Sequence, residues 1–177
     1  MYFFQSKRLG FRQWKDSDIE PFVELNQDTR VMEFFPALQT REETLAMAER
    51  LKSHIDRTGY GFFAVEELST GLFIGFIGIG HPRFDSFFTP CLEIGWRLHA
   101  DFWDRGYASE GATACLHYTF EQLGFSTVYA FTAKTNLRSK RVMINIGMSK
   151  AGEFDHPLLP NHPLTPHVLY VIHKTEK

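Results

Sequence analysis

Several features that would point to particular classes of protein are scarce or missing in this sequence of 177 residues. No run of about 18 apolar residues occurs, and the N-terminal segment MYFFQSKRLGF is too short and too polar for a signal peptide. The two cysteines, Cys91 and Cys115, each lie in a periodic apolar segment, which favours buried free thiols over a disulfide or a metal pair. We therefore expect a soluble, cytoplasmic protein.

An excess of positive charge is also missing, since 19 basic residues stand against 21 acidic ones. Proteins that bind nucleic-acid backbones are usually strongly basic, so neither a nucleic acid nor a membrane is expected as a partner. The eight histidines show neither HxxxH nor HExxH spacing, and three of them stand among prolines in a predicted loop. The sequence therefore predicts no metal site.

What the sequence does have is a continuous succession of strand and helix patterns without repeats or linkers. Strands are predicted at 7–14, 60–68, 72–80, 91–98, 127–133, 148–154 and 166–174, and helices at 17–27, 40–58, 107–123 and 137–146. Thr40 with Glu43, and Ser17 with Glu20, have the spacing of a capping box, and Gly59 is expected to end the second helix. Residues 1–177 are expected to form one mixed α/β domain.

The segment 98–112, LHADFWDRGYASEGA, is where a strand gives way to a helix across a glycine turn. Backbone N–H groups at a helix N-terminus are unpaired donors at the positive end of the helix dipole, so they suit an anion such as a pyrophosphate. Gly106 permits close approach of the backbone, Ala108 and Ser109 leave room, and Arg105 adds a charge. Because neither GxGxxG nor GxxxxGK[ST] occurs, an acyl-CoA type of pyrophosphate site remains.

On these residues the chain resembles a GNAT-fold N-acetyltransferase, of the branch similar to the ribosomal-protein N-terminal alanine and serine acetyltransferases. The family's CoA motif, Gln/Arg-x-x-Gly-x-Gly/Ala, is matched by Trp103-Asp104-Arg105-Gly106-Tyr107-Ala108, with Trp in the first position as in that branch. Further matches are Arg8-Leu9, Arg12 to Asp18, Gly75 with Gly78, Glu93-Ile94-Gly95 with Leu98, Asn136-x-x-Ser139 and Gly147-Met148. The resemblance implies a mixed, mostly antiparallel sheet of about seven strands, with a splay between the fourth (91–98) and fifth (127–133) and about four flanking helices.

The resemblance also implies a site for acetyl-CoA as co-substrate. The amides of residues 105–109, within the motif Trp103 to Ser109, would hold the pyrophosphate, and the backbone around Trp96 and Leu98 would pair with the pantetheine arm. A member of the basic run Lys134, Arg138, Lys140 and Arg141 would meet the 3′-phosphate, although a solvated helix face is the ordinary interpretation of such a run.

Two polar residues after the fifth predicted strand complete the expected CoA site. Asn136 resembles the family asparagine that bonds the pantetheine arm, and it equally suits a helix N-cap. Ser139 would lie near the sulfur, where its hydroxyl could donate to the leaving thiolate. Many family members have a tyrosine as general acid at the position of Met143, so in this chain the role of proton donor passes to Ser139 or to water.

A base is expected on the acceptor side, because the attacking amine must lose a proton. Glu93 is the first candidate, and a salt-bridged or surface carboxylate is its alternative interpretation. His81 is the second, since its ordinary pKa suits the task. If the amine arrives partly neutral, positioning alone can supply much of the rate and no dedicated base is needed.

The acceptor is expected to be a protein N-terminus or a small amine, with direct attack in a ternary complex. Of 18 phenylalanines, several fall in the two predicted loops 30–39 and 81–90, so Phe34, Phe35 and Phe84, with His81, are predicted to border the acceptor or to form a homodimer contact. The alternative function is a CoA-binding sensor or partner module with little catalysis.

Overall fold

The structure, a computed structural model, describes residues 1–175. The strands are β1 (Phe4–Gln5), β2 (Leu9–Arg12), β3 (Phe62–Glu67), β4 (Leu72–Gly80), β5 (Glu93–Leu98), β6 (Thr127–Ala133), β7 (Ser149–Asp155) and β8 (Pro166–His173). The α-helices are α1 (Ile19–Gln27), α2 (Arg41–Thr58), α3 (Tyr107–Glu121) and α4 (Leu137–Asn145). None of the helices in this part of the chain is both long and apolar enough to cross a bilayer.

All eight strands form one sheet in the order β1-β2-β3-β4-β5-β6-β8-β7. Every neighbouring pair is antiparallel except β5 and β6, which are parallel and meet only at Glu93 and Tyr129. The expected mixed, mostly antiparallel sheet with a splay between 91–98 and 127–133 is thus confirmed. The additional strand is β1, which at two residues is too short to show a period in the sequence.

The two ends of α2 are those the sequence predicts. Glu43 N–H donates to Thr40 Oγ1 at 3.2 Å, and Thr40 N–H donates to Glu43 Oε2 at 2.8 Å, which makes a reciprocal capping box. Gly59 ends the helix with φ 77°, a left-handed conformation that glycine adopts without steric cost. This helix therefore begins and ends on local signals.

The predicted capping box of the first helix, Ser17 with Glu20, is wrong. A 3-10 turn at 16–18 precedes α1, and there Asp18 accepts from the Lys15 N–H at 2.8 Å. Glu20 instead forms an ion pair with Arg41 at the start of α2. Asp18 is the better placed carboxylate because the buried Arg12 guanidinium also binds it, at 2.7 Å.

The two faces of the sheet are covered by different helices. Phe76 of β4 packs against Phe22 of α1 with ring centroids 6.0 Å apart, whereas Ile77 contacts α3 at Gly111. Directly paired strand residues project from the same face, and Arg97 pairs with Phe76 while Trp96 pairs with Ile77. Arg97 therefore belongs to the face covered by α1 and α2, and Trp96 to the face covered by α3.

Candidate active site

A groove with a volume of about 1150 Å³ runs along the splay between β5 and β6. A pocket of this size at a strand divergence can take an extended ligand and a second, smaller one. Fourteen predicted site residues line it: Phe34, Phe35, His81, Glu93, Trp96, Leu98, Trp103, Asp104, Gly106, Tyr107, Ala108, Ser109, Asn136 and Ser139. Arg105 and Phe84 do not line it.

One end of the groove is the N-terminus of α3. Gly106 is the N-cap residue with φ 77°, and Asp104 before it also has a positive φ, 59°. Within residues 1–175, no backbone acceptor receives the N–H groups of Gly106, Tyr107, Ala108 or Ser109. Four free donors at the positive end of a helix dipole form an anion site.

The glycine turn is held from behind by Arg8 of the N-terminal segment. Arg8 Nη2 donates to the Arg105 carbonyl at 2.9 Å, and Arg8 Nε donates to Glu110 at 2.6 Å. The Arg8 guanidinium also lies 4.3 Å from the centre of the Tyr107 ring, and the Tyr107 hydroxyl donates to buried Glu67. The side chain of Tyr107 thus anchors the turn, and its amide remains free for a ligand.

The rim beside this turn is aromatic and basic. Trp103 Nε1 donates to the Leu98 carbonyl at 3.0 Å, and the Arg138 guanidinium lies 4.3 Å above the Trp103 ring. Arg138 and Arg141 of the basic run line the groove, whereas Lys134 forms an ion pair with Glu153 at 2.6 Å. The arginines of the run therefore face the groove.

Asn136 is the N-cap residue of α4, which is one of the two roles predicted for it. Its Oδ1 accepts from Ser139 N–H at 3.2 Å, and its Nδ2 donates to Thr132 Oγ1 at 3.0 Å and to Ser139 Oγ at 3.1 Å. Because the Ser139 oxygen accepts from Asn136, the hydroxyl hydrogen of Ser139 is available to the groove. Met143, at the position where the family has a tyrosine, is buried and lines the groove one turn further along α4.

Glu93 lies where β5 and β6 part. It pairs with Gly80 across β4, which places its side chain on the same face as Arg97. No hydrogen-bond or ion-pair partner of its carboxylate occurs among residues 1–175. Burial raises the pKa of Glu93 to about 7, since the ionised form loses hydration that no partner replaces.

His81 follows β4 directly and lies near the same end of the groove. Its Nδ1 lies 2.8 Å from the Cys91 carbonyl oxygen, a contact that assigns the proton to Nδ1. Its Nε2 is 3.4 Å from the Tyr60 hydroxyl. The second candidate base is therefore also present, with its Nε2 directed towards the Tyr60 hydroxyl.

The surroundings of Cys91 and of Cys115 do not favour a nucleophilic thiolate. Burial and the neighbouring Glu93 raise the pKa of Cys91 to about 11, and burial raises the pKa of Cys115 to about 12. A thiol must ionise to attack a thioester, and these environments oppose ionisation.

The loop aromatics divide between the groove and a cluster beside it. Phe34 and Phe35 line the groove. Phe84 does not, because it packs into an aromatic cluster with Phe131 and Phe154, at centroid distances of 5.5 and 6.1 Å. It also lies 4.6 Å from His156, which does line the groove, so Phe84 supports the wall from behind.

Arg97 is a lining residue that the sequence reasoning missed. It is 8% exposed, donates from Nη1 to Asn26 Oδ1 at 2.7 Å, and lies 4.2 Å from the Phe35 ring. Burial lowers its pKa to about 10, and no carboxylate pairs with it in the described part of the chain. The period of two that places Glu93 and Arg97 on one face of a strand was the signal available in the sequence.

A histidine pair was also missed. His156 and His167 line the groove with ring centroids 4.8 Å apart. Burial, and next the charge of His167, lower the pKa of His156 to about 4, and burial also lowers the pKa of His167. The two residues flank a loop between β7 and β8, and only the pairing of these strands brings them together.

The sequence and the structure are both similar to known acetyltransferases. The family described as "Acetyltransferase (GNAT) domain" matches residues 8–149. An uncharacterised N-acetyltransferase of Bacillus subtilis, YnaD, is 30% identical over 151 residues, which is 84% of this chain and 84% of that protein. A GNAT-family acetyltransferase structure from Bacillus anthracis has a TM-score of 0.80 at 27% identity, with 96% of each chain covered.

Two structures with lower sequence identity are similar to this chain in fold only. A ribosomal-protein-S5-alanine acetyltransferase from Vibrio fischeri has a TM-score of 0.76 at 18% identity, with 96% of this chain and 95% of that one covered. A spermidine N-acetyltransferase from Vibrio cholerae, in complex with CoA and spermine, has a TM-score of 0.73 at 18% identity, with 94% and 95% covered. The match to the family over residues 8–149 and the 30% identity to YnaD show that the chain is a member of the GNAT acetyltransferase family, enzymes that transfer acetyl groups to amines.

Proposed function

We propose that this protein, acting as one domain, transfers acetyl from acetyl-CoA to a primary amine by direct attack in a ternary complex. The observation that carries the proposal is the continuity of the groove, which joins the free amides at Gly106 to the unpartnered carboxylate of Glu93 through the only parallel strand pair of the described sheet. Two substrates can therefore meet where the strands part.

The α3 end fits the pyrophosphate of CoA. Four amides without acceptors among residues 1–175 supply donors, and Arg138 and Arg141 supply positive charge at the rim. The backbone edges of β5 and β6 beyond Glu93 have no partner strand there, so they can bond the amides of the pantetheine arm. Bound acetyl-CoA would supply the thioester whose C–S bond breaks.

Glu93 is proposed to accept the proton of the amine, directly or through one water. A base with a pKa near 7 is ionised in a useful fraction at neutral pH and still binds a proton well. As the nitrogen bonds to the carbonyl carbon, the proton passes to Glu93 and the electron pair of the C–S bond leaves with sulfur. His81 is the second candidate for the same role.

Ser139 is proposed to donate a hydrogen bond to the leaving sulfur. Its oxygen is already an acceptor for Asn136, which directs the hydroxyl hydrogen away from Asn136. Tyr107, the tyrosine that lines the groove in the described residues, is occupied by Glu67 and cannot take this role. The raised pKa of Cys91 and of Cys115 favours direct attack over an acyl-cysteine route.

The test is thiol release from acetyl-CoA in the presence of peptides and small amines, with the acetylated product identified by mass. We expect amine-dependent release of one thiol per N-acetyl group formed. Binding of CoA without turnover of any amine would contradict the proposal and favour a CoA-binding module.

A further inference from the structure

The groove is much more positive than the protein as a whole. Seven of the eleven arginines line it, against three carboxylates, in a chain with a net charge of −2. The arginines are Arg30, Arg50, Arg57, Arg83, Arg97, Arg138 and Arg141. Of these, only Arg30 forms an ion pair with a carboxylate of the described residues, Asp28 at 2.6 Å.

Acetyl-CoA accounts for the arginines at one end only. Arg138 and Arg141 lie on α4 beside the proposed pyrophosphate site. Arg97 projects from the opposite face of the sheet, covered by α1 and α2, and Arg50 belongs to α2 itself. The positive charge on this second face lies on the side from which the amine must approach Glu93.

Along the direction of β5, Arg97 lies on one side of Glu93, and the chain that leads to Arg83 extends on the other side. Arg97 is four residues further along β5, about 13 Å away at the usual rise of a strand. Arg83 follows Gly80, the cross-strand partner of Glu93, after two residues. Arg50 and Arg83 both line the groove, and desolvation, followed by the charge of Arg83, lowers the pKa of Arg50.

Arg97 is the most buried of the positive groups on this face, since Arg50 and Arg83 are exposed. A guanidinium that is 8% exposed is costly without a counter-ion, and the buried Nε of Arg97 has no hydrogen-bond acceptor in the described residues. The nearest polar contact is a neutral amide, Asn26. Arg97 therefore contributes a positive charge without a counter-ion to this face of the groove.

Resting on the proposed acetyl transfer, we propose that the acceptor is a primary amine that itself carries a carboxylate, and that Arg50 and Arg83 bind this carboxylate in the field of Arg97. Arginine suits the task because its planar guanidinium can bond both oxygens of a carboxylate. The same charges repel polycationic amines, so polyamines are expected to be poor acceptors.

The test compares matched acceptors that differ in one charge. One arm pairs phenylalanine with phenylalaninamide, and the other pairs a peptide beginning Ser-Glu with one beginning Ser-Gln; spermidine is the cationic reference. We expect the acidic member of at least one pair to have a kcat/KM about tenfold or more above its neutral partner. The amino group of phenylalaninamide is less basic than that of phenylalanine, so more of it is unprotonated at neutral pH. Chemical reactivity alone would therefore favour phenylalaninamide.

The arginines are tested by Arg50→Gln, Arg83→Gln and the double variant. Each single change is expected to raise KM for the acidic acceptor roughly 10- to 100-fold, the usual range for losing a hydrogen bond to a charged group. KM for the neutral partner and for acetyl-CoA should change less than about twofold. Lys52→Gln, which removes a charge from α2 outside the groove lining, is the matched control.

The possible failures are distinct. No turnover of any acceptor overturns acetyl transfer itself. Turnover in which neutral amines or spermidine match or exceed the acidic acceptors overturns the inference and leaves transfer intact. A rise in KM for acetyl-CoA in the arginine variants would also overturn it, because these residues would then serve the CoA phosphates.

Discussion

The N-terminus of α3 and the surroundings of Glu93 are two ends of one groove, yet they are built differently. The first is a contiguous segment, 103–109, whose backbone amides face the ligand and whose side chains mostly anchor the turn. The second joins side chains from α2, β4, β5 and the loops, among them Phe35, His81 and Arg97. Backbone donors can be specified by a short motif, whereas a group of side chains depends on the packing of distant segments.

The largest expected effect is at the backbone end. Gly106→Glu should lower CoA affinity by more than about 100-fold, because a carboxylate would oppose the pyrophosphate and a Cβ is strained at φ 77°. Gly124→Glu is the matched control: Gly124 has φ 76° at the far end of α3, with open space around it. Calorimetric titration with CoA measures the difference. Equal affinities in the two variants would show that the amides of α3 do not hold CoA.

The next effect is at the side-chain end. Glu93→Gln should lower kcat/KM roughly 100-fold, the range of a lost general base. In the wild type, activity should rise with pH through an apparent pKa near 7, because Glu93 acts ionised, and this rise should be lost in the variant. CoA affinity should be unchanged. If Glu93→Gln keeps both the rate and the pH profile of the wild type, Glu93 is not the base. Either His81 is the base or the reaction needs no dedicated base.

Thermal unfolding of Glu93→Gln tests whether desolvation is the cause of the raised pKa of Glu93. Burial raises the pKa of Glu93 from 4.5 to about 7, so the folded state holds the proton more tightly than the unfolded state. The contribution of Glu93 to the free energy of unfolding is therefore fully present below about pH 4.5. It is lost as pH rises through 7, which lowers the free energy of unfolding by up to about 3 kcal/mol. Glu93→Gln should be more stable than the wild type at pH 8.5, with the difference vanishing near pH 4. A constant difference across pH would contradict desolvation as the cause.

The smallest expected effect lies between the two ends. Ser139→Ala should lower kcat about tenfold, the value of one hydrogen bond to a developing charge, with little change in CoA affinity. Ser139→Thr, which keeps the hydroxyl, should retain most of the rate. If Ser139→Ala has the kcat of the wild type, water supplies the proton and α4 only shapes the groove.

The sequence predicted the backbone end with much greater detail than the side-chain end. Gly106, Ala108 and Ser109 lie where the motif and the strand-to-helix transition required. Around the acceptor, Glu93, His81, Phe34 and Phe35 were predicted, but Phe84 was assigned to the groove although it packs against Phe131 and Phe154. A loop phenylalanine carries no period, so nothing local shows which side of a wall it occupies.

By itself the sequence determined the order of the seven longer strands and the four α-helices, the ends of α2, and the glycine turn that opens α3. These depend on interactions within a few residues, such as a capping box, a left-handed glycine or an alternation of apolar positions. Only the tertiary structure decided that the carboxylate of Glu93 is desolvated, that His156 meets His167, and that six arginines without an ion-pair partner among residues 1–175 line one groove. Burial and counter-charge are set by residues far apart in the chain, because solvent is excluded by the whole packed fold rather than by any one segment.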